Sequence, residues 1–214
     1  MGRHIVWRAM IRVTEATNFF KPEWYTTWIL KVGLREANAI SKKALKIGTR
    51  LHEILASGKF DFDKKDTQEV KNCVIAFNKW RERNSIYGSE LELIPRITDE
   101  VIGVTGEPDV YYSRTKTLID FKTSSKVSPE NFFQLGGYAR LVKDHYLNDL
   151  AILRLDKETS DFEYVTASRL GLTITACIDA FEATFKHYQY YTHINRQLGG
   201  TDERDSDDRK GSQS

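Results

Sequence analysis

Cysteine is nearly missing from this chain, with only Cys73 and Cys177 in 214 residues. Two thiols exclude a disulfide framework, a four-thiolate zinc site and a four-cysteine iron–sulfur cluster. Long apolar runs are missing too. No stretch approaches the roughly 20 residues that span a bilayer. The opening Met1-Gly2-Arg3-His4-Ile5-Val6-Trp7-Arg8 spaces its charges too closely for a signal-peptide core. The chain is therefore expected to be soluble and cytoplasmic (the host's cytoplasm, if a phage encodes it), with no membrane partner. Proline is scarce, at four, and no proline-rich linker interrupts the body of the chain. Three motifs are also missing: Gly-x-x-x-x-Gly-Lys-Ser/Thr, Gly-x-Gly-x-x-Gly and His-Glu-x-x-His, since His52-Glu53 is followed by Ile54-Leu55-Ala56. Without a phosphate-binding loop the chain is not itself a helicase.

What is there argues for a packed core. Hydrophobic residues make up 40% and charged residues 29%, with 4 Trp, 10 Tyr and 11 Phe, a balance foreign to disordered chains. The length suits one domain, expected over 1–198. The polar, acidic tail 199–214 has no apolar residue to bury and is expected to be disordered. Net charge is +2, unevenly spread: residues 1–60 carry 11 Lys/Arg against 4 Asp/Glu, residues 61–113 carry 7 against 11. A basic front beside a carboxylate-rich middle suits a polyanion surface next to a metal site, and equally an unevenly charged solvated surface.

The first 60 residues read as mostly helical, with Ile47, Leu51, Ile54 and Leu55 at helical spacing and Gly58 as a stop. A second helix is predicted from Asp66 or Thr67 to about Arg83. The period then changes. Leu91 and Leu93, Ile102 and Val104, Val110-Tyr111-Tyr112 and Thr117-Leu118-Ile119-Asp120-Phe121 read as strands. A helix is predicted from about Pro129 with Ser128 as N-cap, strands at 151–155 and 162–165, and a last helix over about 173–197. The expected class is α/β, an α+β mixed sheet with helices on it.

The informative segment is a hairpin around 113–116. If its turn is centred between Arg114 and Thr115, Tyr112 faces Thr117, Asp109 faces Asp120 and Glu107 faces Lys122. Directly opposed side chains have Cβ atoms about 4.5–5.5 Å apart, and two carboxylates that close repel unless a cation or proton intervenes. A loop with an odd residue count would instead put Asp109 and Asp120 on opposite faces, and no Asn-Gly or Asp-Gly fixes the turn.

Pro108-Asp109, ten intervening residues, then Asp120-Phe121-Lys122 resembles the PD-(D/E)XK nuclease signature. Gly48-Thr49-Arg50-Leu51-His52-Glu53-Ile54-Leu55 is similar to the helix that supplies a metal-binding histidine in RecB-type nuclease domains. Gln134-Leu135-Gly136-Gly137-Tyr138 is similar to the Gln-x-x-x-Tyr motif of that exonuclease subgroup, and Ser89-Glu90 resembles a further family position. The pattern covers roughly residues 36–146 and departs from the subgroups that carry a four-cysteine cluster.

The resemblance implies a restriction-endonuclease-like αβββαβ core with extra N- and C-terminal helices. It implies a deoxyribonuclease that hydrolyses phosphodiester bonds with Mg²⁺ or Mn²⁺, acting from DNA ends in repair, recombination or phage DNA processing. Asp109, Asp120 and Lys122 would be catalytic. His52, Asp109, Asp120 and the Phe121 carbonyl would hold metal. Gln134 and Tyr138 would meet the DNA, Tyr138 by stacking, and Glu90, Glu107 and Ser124 are weaker candidates. Single- or double-stranded DNA would be the partner, with a helicase or recombination protein in trans. The rival expectations are a structure-specific or nicking endonuclease, and a DNA-binding assembly module of weak activity.

Overall fold

The computed structural model describes residues 10–19, 21, 23–143 and 146–199, so all but the first residue of the expected disordered tail lies outside it. A two-residue strand, β1 (Ile11–Arg12), leads into the short helix α1 (Val13–Asn18). Helices α2 (Glu23–Val32) and α3 (Leu34–Ala56) are separated by Gly33 alone, whose φ of 85° suits glycine. Along α3 the predicted set Ile47, Leu51, Ile54 and Leu55 is buried, and the helix stops just before Gly58. α4 (Gln68–Arg83) begins at Thr67, whose hydroxyl accepts from the Val70 N–H.

Five strands follow: β2 (Leu91–Leu93), β3 (Ile97–Asp99), β4 (Val104–Gly106), β5 (Val110–Tyr112) and β6 (Thr117–Lys122). Then come α5 (Pro129–Leu141), β7 (Asp149–Leu155), β8 (Phe162–Thr166) and α6 (Ile174–Gln197). α5 starts at the predicted proline, with the Ser128 N–H donating to Asn131 Oδ1 at 2.8 Å. Among the described residues, no helix is long and apolar enough to cross a membrane.

The strands form two sheets rather than the single one expected. A small sheet has the order β1-β4-β3, and a five-stranded sheet has the order β2-β5-β6-β7-β8. Ile102, expected in a strand, lies in the turn between β3 and β4, where Asp99 Oδ1 accepts from the Val101 and Ile102 N–H groups. In the large sheet β6 pairs antiparallel with β5 and parallel with β7, α5 making the crossover. The hairpin register is the predicted one: Tyr112 opposes Thr117 and Val110 opposes Ile119. Its turn closes with Lys116 at φ 57°.

Alternation along β6 and β7 splits the core in two. Leu118, Leu150 and Ile152 pack with Val13 of α1, Leu135 and Tyr138 of α5, and Phe181 of α6. Ile119, Phe121, Ala151 and Leu153 pack with Leu51 of α3 and Phe77 and Trp80 of α4. The result is a helix–sheet–helix sandwich whose central strands are apolar on both faces.

Candidate functional site

The register of the hairpin decides where the carboxylates go. The β5–β6 ladder ends at Val110 and Ile119, so Asp109 stands just past its end. There the Phe121 N–H donates to Asp109 Oδ2 at 2.6 Å. The other oxygen, Oδ1, lies 2.7 Å from His52 Nδ1. His52 comes from α3, the helix layer on the far face, and reaches Asp109 where the ladder has stopped. Its ring centroid lies 6.3 Å from that of Phe121.

Asp120 and Lys122 follow one another on the α5 side of β6. Asp120 is 2% exposed. Its Oδ2 lies 2.6 Å from Lys122 Nζ, and its Oδ1 accepts from Gln134 Nε2 at 3.2 Å. Gln134 ties the group together: its Oε1 accepts from Lys122 Nζ at 2.8 Å, and its Nε2 also donates to the Tyr138 hydroxyl at 2.7 Å. Gln134 and Tyr138 are one turn apart on α5, so a single helix face supplies both. Two clusters result, His52 with Asp109 and Asp120 with Lys122, Gln134 and Tyr138. The Asp120–Phe121 peptide joins them.

Charge in this corner is under strain. Burial pushes the Asp120 carboxyl up to about 6; the Asp109 charge adds to the rise, while Lys122 and His52 oppose it. For His52, burial works against the protonated ring. The hydrogen bond and charge of Asp109, with the charge of Asp120, outweigh that, and the pKa is raised. Burial also raises the Tyr138 phenol, keeping it neutral.

Among the described residues no group of three or more His, Cys, Asp and Glu side chains is arranged to hold a metal ion. The expected set of His52, Asp109 and Asp120 is engaged with itself and with Lys122. Asp120 Oδ2 is nevertheless a buried oxygen without a hydrogen bond, although the Lys122 ammonium lies 2.6 Å away. A buried carboxylate oxygen left in that state is one a cation would satisfy. Two carboxylates and an imidazole also match a Mg²⁺ or Mn²⁺ donor set in kind.

Several expected residues stand apart. Glu107 does not meet Lys122; its carboxylate accepts from Arg96 at 2.7 Å, because the β5 ladder no longer holds it in register. Glu90 is bound to Arg114 at 2.6 Å, and Ser124 Oγ donates to the Lys126 carbonyl within its own loop. Tyr138 is 4% exposed and packs in the core, where it also lines a small cavity with Arg96, Gly106 and Glu107. Arg50, on the basic stretch of α3, is held by Asp66 at 2.8 Å and by Asp63.

Sequence reasoning missed what the residues between Gln134 and Tyr138 do. A Cβ on Gly136 would lie 1.9 Å from the Cys177 carbonyl oxygen, and one on Gly137 would lie 2.7 Å from Phe181 and Val13. These glycines let α5 lie against α6 and α1. The adjacent Gly-Gly inside a helical pattern was the available signal.

No family model matches the chain, and no curated protein matches it. Among solved structures, the crystal structure of SSO0001 is similar over 86% of this chain and 78% of that one, at 14% identity and a TM-score of 0.37. A likeness that loose carries no weight for fold or function.

Proposed function

We propose that this chain is a metal-dependent deoxyribonuclease of the PD-(D/E)XK type, RecB-like, with a restriction-endonuclease-like core. One observation carries the reading. The residues of three separate motifs, His52, Asp109 with Asp120 and Lys122, and Gln134 with Tyr138, lie in two bonded clusters joined by one peptide unit. Motif residues gathered by chance would not share partners across β6, α3 and α5.

His52, Asp109, Asp120 and the Phe121 carbonyl would hold Mg²⁺ or Mn²⁺, which when bound supplies Lewis acidity and a more acidic water. For that His52 must present an unprotonated ring nitrogen, so acid would oppose loading. Lys122 brings positive charge and N–H donors to the phosphoryl oxygens, where charge develops. Gln134 positions Lys122 through Oε1, and Tyr138 in turn anchors Gln134. DNA is the proposed substrate, with attack from ends and a helicase or recombination protein as partner in trans.

Incubation with linear and covalently closed DNA, with Mn²⁺, Mg²⁺ or EDTA, tests this. Linear DNA should be degraded only with metal, and Lys122→Ala should be slower by about two decades or more. Cutting of closed circles would assign an endonuclease instead. No metal-dependent cleavage of either form would overturn the reading.

A further inference from the structure

Helix α2 turns an aromatic and cationic face towards the loop that leaves the candidate site. Trp24 is 52% exposed. Its ring centroid lies 6.0 Å from that of Tyr25, which lies 5.7 Å from that of Trp28. Two ammonium groups border these rings: Lys21 Nζ is 5.5 Å from the Tyr25 centroid and Lys126 Nζ is 5.5 Å from the Trp24 centroid. Among the described residues neither lysine is paired with a carboxylate.

This face adjoins the candidate site through two connections. Lys126 is four residues past Lys122, so their Cα atoms are within about 14 Å. α2 is joined to α3, the helix of His52, through Gly33 alone. One turn before His52, Gly48 of α3 faces Thr123, at the start of the same loop. The loop 123–128 holds Lys126 and no acidic residue.

An ammonium over a half-open indole has two uses for a nucleic acid strand. The cation meets phosphate, and the ring meets the face of a base whatever its identity. Only an unpaired base has a free face to give; in a duplex the faces are stacked on one another.

We infer that Trp24 and Lys126, flanked by Tyr25 and Lys21, form a binding platform for one unpaired DNA strand beside the candidate site. The choice of DNA rests on the deoxyribonuclease reading, but the platform is tested by binding alone. The probe is a fluorescent thymidylate strand of about 12 nucleotides, titrated with the full chain in EDTA and followed by anisotropy. Trp24→Ala should weaken binding about 5- to 100-fold, and Trp24→Phe only a few-fold. Lys126→Ala should weaken it too and lower the salt slope by about one. Quenching of tryptophan emission by the strand should fall in Trp24→Phe, a readout that survives if the alanine variant does not fold. Blunt duplex should bind wild type and Trp24→Phe alike.

Strand affinity and quenching that ignore both Trp24 and Lys126 would overturn the platform. So would failure of wild type to bind the strand, or dependence on Trp24 that appears with duplex or anionic phosphatidylglycerol vesicles instead. A chain that binds through Trp24 but never cuts would sink the nuclease reading alone. One that cuts DNA while indifferent to Trp24 would sink the platform alone.

Discussion

Asp120 concentrates the conflict between folding and chemistry at the residue scale. Its carboxyl is raised to about 6 by burial, so the folded chain holds that proton more tightly than the unfolded chain does. The resulting stabilisation is full below the ordinary carboxylate range and is lost as pH rises through about 6. His52, also raised, acts in the same sense at higher pH: its stabilisation is full below the ordinary histidine range and fades as pH climbs through its elevated value. Asp120→Asn removes the buried charge. In chelator, calorimetry should find it melting above wild type by about 2–8 °C at pH 8, the gap narrowing as pH falls through about 6 and closing only below the ordinary carboxylate range; a gap that does not narrow on acidification would disprove the burial argument. Tyr138→Phe tests the inward role of that ring. It leaves one Gln134 Nε2 hydrogen unpaired in the interior, at a cost of about 1–3 kcal/mol read as a lower melting temperature. An unchanged melting temperature would deny the hydroxyl its anchoring role. The spacing of Gln134 and Tyr138 made their common helix face legible in the sequence. It did not say whether that face turns inward, because i and i+4 fix a direction around the helix and not what lies there.

Two helix glycines make opposite predictions at the element scale. Gly136 of α5 has no room: its Cβ would fall 1.9 Å from a backbone carbonyl of α6. Gly136→Ala must push the helices apart, costing about 1–3 kcal/mol or more and visible as a lower denaturation midpoint. Gly48 of α3 has ordinary space, 3.8 Å to Thr123 Oγ1. Gly48→Ala should therefore gain about 0.5–1 kcal/mol, the usual advantage of alanine inside a helix. If both move the midpoint the same way, helix contact is not what separates them. Helix limits were legible because Thr67, Ser128-Pro129 and Gly58 carry capping chemistry in their side chains or lack of one. The place of the β5–β6 turn was legible too, but its type was not. Its left-handed residue is Lys116, where glycine or asparagine would have announced it. The small sheet escaped for a different reason. Its strands are two or three residues long, and β1 pairs Ile11 with Val104, a partner no local pattern can name.

On the scale of the whole molecule, both apolar clusters are built on the same two strands, β6 and β7. Neither cluster can come apart without exposing the other. Leu118→Ala and Ile119→Ala, one on each face, should each cost about 2–5 kcal/mol and shift one shared transition, with near- and far-UV circular dichroism coincident. Separate transitions would mean two independent units. The candidate site inherits this long-range construction, since His52, Asp109 and Gln134 come from distant parts of the chain. On the ribosome, where roughly 5–20 residues are added each second, the Gln134 codon is read on the order of 4–16 s after that of His52. The crossover that seats β7 beside β6 comes later still. A growing chain therefore carries the histidine helix and then both carboxylates before Gln134 exists to steady Lys122.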